Sequence, residues 1–357
     1  MPRVLMTADA VGGVWPYSLD LARGLRARDV HVHLAVMGPA PSPMQRAEAA
    51  AAGIEVTEIP ARLEWMDDPW DDVDRAGEML LALARDVAPD LIHLNGYAHA
   101  VLPWAAPVVV VAHSCVCSWW RAVNGETLPP RFDEYRARVS RGLLAASAVV
   151  APSAAMRHDL EIEYGPLPAA MVIPNGSAFV PETGVTREPI VLAAGRLWDD
   201  AKNVAALCAA ATQLSWPVFL AGDDCSPDGR SVMPAGVRCL GRVRPADMRA
   251  WYARASIYAL PARYEPFGLS VLEAARSGCA LVLGDIRSLR ENWDGAAVFV
   301  PPDNRRALAA AIQSLIGDER RRLQLAAAAT ARAARFTSDR MVAAYLDLYQ
   351  RIPAGVA

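Results

Sequence analysis

Residues 257–286 constrain the possible folds of this chain more than any other segment. A short apolar run over residues 257–261 predicts a buried parallel strand, and the polar loop 262–267 follows it. A predicted helix then covers residues 268–276, and the apolar run 279–283 predicts the next strand. Such a unit places a helix N-terminus at the carboxyl end of a strand, where open α/β sheets bind ligands. Free N–H groups and the helix dipole make that position favourable for phosphate.

Two carboxylates bracket this helix start. Glu265 lies in the loop before the helix, and Glu273 lies eight positions later, on the helix itself. Eight residues are a little over two helical turns, so the two side chains need not point the same way. One can face a reacting group while the other reaches a different part of the same bound molecule.

Strand and helix patterns run through the chain in two series. Between them, residues 179–188 carry proline, glycine, threonine and charge without periodicity, which is typical of a linker. A chain of 357 residues can build two domains of this size. We therefore predict an α/β fold with a Rossmann-like domain over residues 1–178, a second over 189–338, and a final helical segment over 339–357.

Several classes of protein are disfavoured by composition. A net charge of −3 gives no basic bias toward nucleic acid, and no apolar run approaches the length of a membrane span. The chain reaches Gly12 and Gly13 too early for a secretory signal, so we expect a cytoplasmic protein, with peripheral membrane contact left open. The six cysteines have no metal-finger spacing, and the acidic run 64–74 matches no calcium loop and is typical of a solvated loop or helix start.

The first half offers its polar candidates after predicted strands. Gly12 and Gly13 follow the first strand, either as a tight turn, as a loop that approaches a ligand, or as both. They do not form a dinucleotide-binding glycine fingerprint, which disfavours an oxidoreductase. His113 directly follows an apolar run, at a predicted strand end where functional groups converge. Tyr97, Trp119 and Trp120 are aromatic candidates for contact with a ligand; stacking on a sugar ring or an apolar molecule and core packing explain the tryptophan pair equally well.

The second half gathers groups suited to a pyrophosphate. Arg196 follows a predicted strand, and Lys202 lies at the start of the next helix. A guanidinium forks onto two oxygens and an ammonium adds a point charge. Together with the backbone of residues 268–270, they could hold two phosphates and stabilise negative charge on a departing diphosphate.

The segment E-P-F-G-L-S-V-L-E, from Glu265 to Glu273, resembles the E-x7-E signature of retaining glycosyltransferases with the GT-B fold, and most closely glycosyltransferase family 4. The similarity covers nearly the whole chain. Further matching positions are Gly12-Gly13, His113, residues 173–176, Gly195-Arg196-Leu197 with Lys202-Asn203, and Gly241-Arg242-Val243. The resemblance implies two Rossmann-like doubly wound domains that face each other across a cleft, with the final helix crossing back to the first domain.

The resemblance also implies roles for the matching residues. Arg196 and Lys202 would bind the donor diphosphate, Glu265 the transferred sugar, Glu273 the ribose, and His113 the sugar near its anomeric carbon. The implied catalytic set is His113, Glu265, Arg196 and Lys202. The implied donor-binding set is Gly12, Gly13, Arg196, Lys202, Gly241, Arg242, Val243, Phe267, Gly268, Leu269, Ser270 and Glu273.

The implied reaction moves a sugar from a nucleoside-diphosphate sugar to an acceptor hydroxyl, with retention and without a metal or other cofactor. The acceptor would be a small molecule, a glycan or a lipid-linked molecule, and Tyr97, Trp119 and Trp120 are the candidates for contact with it. Alternatives of the same fold are a nucleotide-sugar epimerase, a glycogen-synthase-like polymerase and a non-catalytic protein that binds nucleotide sugars.

Overall fold

A computed structural model describes residues 1–352, so the last part of the predicted segment 339–357 lies outside the described residues. The strands are β1 (Arg3–Asp9), β2 (His31–Met37), β3 (Glu55–Ile59), β4 (Leu91–Leu94), β5 (Val108–Val111), β6 (Ala148–Ala151), β7 (Ala170–Val172), β8 (Glu188–Ala194), β9 (Val218–Ala221), β10 (Arg238–Gly241), β11 (Ala255–Leu260), β12 (Ala280–Gly284) and β13 (Ala297–Val300). The helices are α1 (Val14–Arg26), α2 (Pro43–Ala51), α3 (Trp70–Val87), α4 (Val116–Asn124), α5 (Asp133–Ala145), α6 (Ala154–Tyr164), α7 (Val204–Ala211), α8 (Pro245–Arg254), α9 (Leu269–Arg276), α10 (Arg287–Trp293), α11 (Arg305–Gly317), α12 (Glu319–Ala333) and α13 (Ser338–Arg351).

The chain forms two compact units. Unit 1 is built mainly from residues 1–176 and from the chain after Ser338, and unit 2 mainly from Ser177–Thr337. Unit 1 contains a seven-stranded parallel sheet in the order β3-β2-β1-β4-β5-β6-β7. Its winding reverses between β1 and β4, so the loops after these two strands leave in opposite directions. This topological switch point is where an open α/β sheet binds its ligand.

Unit 2 also contains a parallel sheet whose winding reverses, with six strands in the order β10-β9-β8-β11-β12-β13. Its switch point lies between β8 and β11. Alternate residues of β11 enter two separate apolar clusters: Tyr258 and Leu260 pack with α9 and α12, while Ile257 and Ala259 pack with α7 and α11. Burial on both faces explains why this strand reads as a continuous apolar run in the sequence.

Helix α13 belongs to unit 1 and packs on α1. The hydroxyls of Tyr17 and Tyr345 are 2.6 Å apart in a buried hydrogen bond, and Tyr349 bonds to His93 Nδ1 at 2.6 Å. A Cβ at Gly24 would lie 2.3 Å from a methyl carbon of Val342, so the approach of these two helices requires glycine. The last helix is therefore an integral part of the fold of unit 1.

Three short helices were not predicted from the sequence: α2, α4 and α10. α2 begins with a capping box formed by Ser42 and Gln45, and α4 contains the tryptophan pair Trp119 and Trp120. α3 begins at Trp70, inside the acidic run that we predicted as a solvated loop or helix start. β8 begins at Glu188, the last residue of the predicted linker. The three unpredicted helices α2, α4 and α10 have at most nine residues each, which is too short for hydrophobic periodicity to identify them.

No helix within residues 1–352 has the length and apolar character needed to cross a bilayer.

Arg276, the last residue of α9, holds both ends of unit 2 together. Its guanidinium donates to the carbonyl oxygens of Ser177 at 2.7 Å and Phe179 at 3.0 Å, where the chain enters the unit. It also donates to the carbonyl oxygen of Phe336 at 2.9 Å, where the chain leaves it. A parallel bridge between Ser177 and Thr337 joins the same two segments.

Replacing Arg276 with alanine should lower the melting temperature of unit 2 by about 5–10 °C, because three carbonyl groups lose charge-assisted hydrogen bonds. Scanning calorimetry would measure the transition. Arg244→Ala is the control: this arginine forms an ion pair with Asp247, but 73% of its side chain is exposed, so no comparable shift is expected. Equal melting temperatures for the two variants would contradict the assigned role of Arg276.

Candidate active site

The carboxyl ends of β8 and β11 bring together the site residues that we predicted in the second half of the chain. Gly195 and Arg196 follow β8, and the loop with Glu265 follows β11, which pairs with β8. After β8, the chain makes a short 3₁₀ turn over Asp200–Lys202, which the side chain of Asp199 caps by accepting from Ala201 N at 3.0 Å. This turn carries Lys202 toward the loop after β11.

Lys202 and Glu265 form an ion pair at the switch point of unit 2. Lys202 Nζ lies 2.6 Å from Glu265 Oε2, and the two side chains are only 16% and 12% exposed. At this distance the ammonium donates a charge-assisted hydrogen bond. Two residues 63 positions apart in the sequence are thereby held in one polar site.

Asn203 fixes the turn that carries Lys202. Its backbone is left-handed, with φ of 56°, a conformation that asparagine adopts more readily than most residues. Its buried side-chain amide donates to the carbonyl oxygens of Pro261 at 2.9 Å and Pro302 at 2.7 Å, at the ends of β11 and β13. Asn203 belongs to the matching family pattern, but the sequence alone did not indicate this function.

Arg196 is held beside the same site. Its guanidinium donates to Asp199 Oδ2 at 2.8 Å, lies 5.3 Å from the centre of the Trp198 ring, and is about one-third exposed. A guanidinium has five N–H donors, so a pairing with one carboxylate leaves capacity for a ligand.

The start of α9 supplies backbone donors at this edge. Gly268 precedes the helix with φ of 89°, a left-handed conformation that glycine adopts without strain. No side chain caps the helix, so the N–H groups of Leu269 and Ser270 have no intrahelical acceptor. Tyr258 donates to Ser270 Oγ at 2.8 Å from the neighbouring strand and fixes that hydroxyl. The arrangement is suited to an anion.

Helix α10, absent from the sequence prediction, supports the loop from behind. Ser288 Oγ donates to the carbonyl oxygen of Glu265 at 2.6 Å, and the amide of buried Asn292 reaches the carbonyl oxygen of Phe267 at 3.4 Å. The Phe267 ring is itself buried and packs edge-on against Phe336, with centroids 5.4 Å apart. Phe267 can therefore meet a ligand through its backbone, as the resemblance implies, but not through its ring.

Glu273 lies on α9, half-buried, beside the phenol of Tyr252 from α8. Burial raises the pKa of Tyr252 well above its usual value, and the hydrogen-bonded carboxylate of Glu273 raises it further. Tyr252 thus remains a hydrogen-bond donor to Glu273.

Of the predicted residues, Gly241 ends β10, and Arg242 and Val243 follow it on the same edge of the sheet. Gly241 has φ of 65°, and its carbonyl oxygen accepts from Gly222 N at 2.8 Å. A Cβ at Gly222 would lie 1.7 Å from the carbonyl oxygen of Gly195, so the strand ends of β8 and β9 can approach this closely only with glycine. Arg242 is exposed and lies 4.0 Å from Asp223.

In unit 1, Gly12, Gly13 and His113 lie at the carboxyl ends of β1 and β5. Gly12 is exposed with φ of 85°, and Gly13 caps α1. His113 Nε2 lies 2.8 Å from Asn95 Oδ1, and the ring meets Tyr17 edge-on, with centroids 4.4 Å apart. Burial, and to a smaller extent the neighbouring His93, lowers the pKa of His113 to about 3, so the imidazole is neutral at pH 7.

The aromatic acceptor candidates differ in placement. Tyr97 is 3% exposed, and its hydroxyl donates to the carbonyl oxygen of Ser114 at 2.7 Å, so its side chain braces the segment after His113 and does not present a surface to an acceptor. Trp119 and Trp120 lie half-buried on α4, and Trp120 packs against Phe132 at 5.5 Å.

Glu64 is a residue whose importance sequence reasoning missed. Its carboxylate accepts from the backbone N–H groups of Tyr97 at 3.1 Å and Ala98 at 2.9 Å, which fixes the loop after β4. Burial raises the pKa of Glu64, while these hydrogen bonds oppose the rise. The run of acidic residues around it gave no signal that one member points inward.

Within the described part of the chain, no three His, Cys, Asp or Glu side chains are grouped so that they could hold a metal ion.

Comparison with known families agrees with this geometry. A model described as Glycosyltransferase Family 4 matches residues 11–177, and one described as Glycosyl transferases group 1 matches residues 188–318. A D-inositol 3-phosphate glycosyltransferase from Xylanimonas cellulosilytica is 28% identical, over 96% of this chain and 92% of the relative.

Two solved structures share the fold. Sucrose-phosphate synthase from Thermosynechococcus elongatus superposes with a TM-score of 0.83 at 18% identity, covering 98% of this chain and 99% of that one. Anabaena HepE, solved in complex with UDP and glucose, gives a TM-score of 0.76 at 18% identity and covers 98% and 100%. The two family models match the parts of the chain that build the two Rossmann-like units, and the chain belongs to the GT-B glycosyltransferases of family 4.

Proposed function

We propose that this glycosyltransferase transfers a sugar from a nucleoside-diphosphate sugar to an acceptor hydroxyl, with retention of anomeric configuration and without a metal ion. The observation that carries the proposal is the ion pair of Lys202 and Glu265, 2.6 Å apart at the switch point of unit 2 and beside the uncapped start of α9. It combines a cation for phosphate with a carboxylate for sugar hydroxyls in one site.

The donor diphosphate would meet three sources of positive potential. Lys202 offers an ammonium, Arg196 a guanidinium, and α9 the N–H groups of its first turn. Glu265 and Asp199 already hold the two cationic side chains in place, so little reorganisation is needed when charge develops on the leaving diphosphate. In metal-dependent enzymes, a bound metal ion neutralises the charge on the diphosphate. Because Lys202, Arg196 and α9 would do so here, we propose that no metal ion is required.

The other predicted residues receive proposed roles around that centre. Glu265 would accept hydrogen bonds from hydroxyls of the transferred sugar, and Glu273 from those of the ribose. The backbone of residues 267–270 would contact the phosphates, Gly241, Arg242 and Val243 would border the base, and Gly12 and Gly13 would approach the substrate closely. His113 would contact a sugar hydroxyl from unit 1.

Retention follows if the departing diphosphate acts as the base. The bond from the anomeric carbon to the phosphate oxygen breaks, and the acceptor oxygen bonds to that carbon from the same face. The acceptor proton passes to the oxygen of the departing diphosphate. Arg196, Lys202 and the α9 N-terminus would lower the energy of this step by stabilising the negative charge on the diphosphate.

The relatives suggest the first substrates to test. UDP and glucose occupy the structure of HepE, so UDP-glucose is a first donor. The name of the Xylanimonas relative makes D-inositol 3-phosphate a first acceptor, and a relative from Campylobacter jejuni that acts on a diphospho-undecaprenol acceptor makes a lipid-linked molecule the next.

A thermal-shift screen against UDP-, GDP- and ADP-sugars would identify the donor, because a ligand that binds the native state raises its melting temperature. Proton NMR of the product would then give the anomeric configuration. An α-linked product from an α-configured donor supports the proposal; an inverted product, or conversion of the donor to an epimer without an acceptor, would contradict it.

Lys202→Ala and Glu265→Ala should each lower kcat/KM by about 100-fold or more while the protein stays folded, because each removes a preorganised partner of the transition state. The measurement is nucleotide release under initial-rate conditions.

The matched control is Arg254→Ala. Arg254 and Glu188 form an ion pair with the same N···O distance of 2.6 Å, but at the amino ends of β11 and β8. Near-normal turnover in the two site variants, or an equal loss in the control, would show that the site is assigned wrongly.

Transfer should continue within about twofold of its normal rate in excess EDTA, because the proposed charge stabilisation comes from Arg196, Lys202 and α9. Activity that disappears in EDTA and returns with Mg²⁺ or Mn²⁺ would overturn metal independence. It would leave the assignment of the donor site intact.

A further inference from the structure

Asn95 follows β4 at the carboxyl edge of unit 1, and its side-chain amide has a fixed orientation. Nδ2 donates to the carbonyl oxygen of Thr7 at 2.6 Å and to Ser18 Oγ at 3.0 Å, while the backbone N–H donates to Thr7 Oγ1 at 2.8 Å. A carbonyl oxygen only accepts hydrogen bonds, so the amide nitrogen must face Thr7. Oδ1 is therefore the atom that faces His113 and His93.

This orientation determines which imidazole nitrogen carries the proton. Asn95 Oδ1 is an acceptor, so His113 Nε2, 2.8 Å away, must donate. His93 Nε2 lies 3.3 Å from the same oxygen, and its Nδ1 lies 2.6 Å from the hydroxyl of Tyr349. If Nε2 of His93 also donates, its Nδ1 accepts from Tyr349, and all partners are satisfied. One amide oxygen thus sets His113 as the Nε2–H tautomer, and the same tautomer of His93 satisfies all of its partners.

A neutral imidazole with a proton on Nε2 has a lone pair on Nδ1. Burial lowers the pKa of both His113 and His93 to about 3, and a charge on His93 would add to the cost of charging His113. The His113 side chain is half-buried, and within residues 1–352 its Nδ1 has no hydrogen-bond partner. His113 therefore offers an acceptor and no charge.

The phenols packed around His113 and His93 add no charge beside these rings. Tyr17 from α1 meets the ring edge-on, and Tyr345 and Tyr349 from α13 lie behind Tyr17 and His93. Burial raises the pKa of all three phenols, so they stay neutral. Cys115, two residues further along the chain, bonds to Tyr164.

We propose that Asn95 is a positioning residue for glycosyl transfer: it holds His113 in the Nε2–H tautomer so that Nδ1 accepts a hydrogen bond from a substrate hydroxyl. The proposal rests on the proposed function only in assigning that hydroxyl to a sugar substrate. A neutral acceptor selects a hydroxyl over a phosphate or carboxylate, because both of these need a donor. Asn95 thereby contributes to what unit 1 recognises without touching the substrate.

Nitrogen NMR of the wild-type protein with ¹⁵N-labelled histidine tests the tautomer directly. Protonated and unprotonated ring nitrogens have well-separated shifts, and His113→Gln identifies the signals of His113. We expect Nε2–H and a bare Nδ1 from pH 5 to 8. His99 is an internal reference, since its Nε2 lies 2.9 Å from the carbonyl oxygen of Val73 and does not contact Asn95. An Nδ1–H tautomer, or an imidazolium at pH 7, would overturn the proposal without any assay of activity.

Asn95→Asp and Asn95→Leu then test the consequence for the reaction. A carboxylate beside His113 favours the imidazolium, so Asn95→Asp should raise its pKa from about 3 into the range of about pH 5–8. Protonated Nδ1 cannot accept, so kcat/KM should fall about tenfold for each pH unit below that pKa and recover above it. Asn95→Leu provides no acceptor and should not recover at any pH, and wild type should show no such acidic limb.

The two experiments separate failure of this proposal from failure of the proposed function. A pH-independent loss in both variants, with unchanged His99 signals that show a folded unit 1, would mean that Asn95 is merely structural and would overturn the proposal. Transferase activity would still stand in that case. Absence of transfer from any nucleotide sugar, with the expected His113 tautomer observed, would instead support the hydrogen-bond arrangement and refute the proposed function.

Discussion

A parallel sheet that changes its winding direction forces two neighbouring loops apart at its carboxyl edge, and both units of this chain are organised around that constraint. In unit 2 the loops after β8 and β11 separate, and Lys202 and Glu265 meet in the space between them. In unit 1 the same event occurs between β1 and β4, next to the position of Asn95. The residues proposed for binding and catalysis are therefore concentrated at the two switch points.

The two switch points carry side chains of different charge. Unit 2 places cations with carboxylate partners and an uncapped helix start, an arrangement suited to a highly charged ligand. Unit 1 places two neutral imidazoles, an amide and several phenols, an arrangement suited to uncharged hydroxyls. A nucleoside-diphosphate sugar and its acceptor contain both kinds of group. This fits the proposal that unit 2 binds the diphosphate and that His113 of unit 1 contacts a sugar hydroxyl.

Much of the fold and many of the candidate site residues were predictable from the sequence. Doubly buried strands such as β5 and β11 read as apolar runs, and the residues that follow them are the site candidates. The contact of Lys202 with Glu265 was not predictable, since it spans 63 residues and depends on a 3₁₀ turn held by Asn203. Nor was the inward orientation of Glu64, which looks like its acidic neighbours, or the support from α10, whose seven residues are too few to show a period. Tyr97 was predicted to contact a ligand because it is an aromatic residue beside a polar loop. Its side chain is buried instead, and its hydroxyl holds the segment after His113.

The position of α13 has a consequence for biosynthesis. Unit 1 contains the first strand of the chain, yet Tyr17 and His93 are completed by Tyr345 and Tyr349, which the ribosome adds more than 300 residues after Tyr17. Unit 1 therefore cannot complete the packing around its buried tyrosine and histidine until Ser177–Thr337 and the helix that follows it have been synthesised. Growth of the chain from its N-terminus alone thus leaves Tyr17 and His93 without their hydrogen-bond partners.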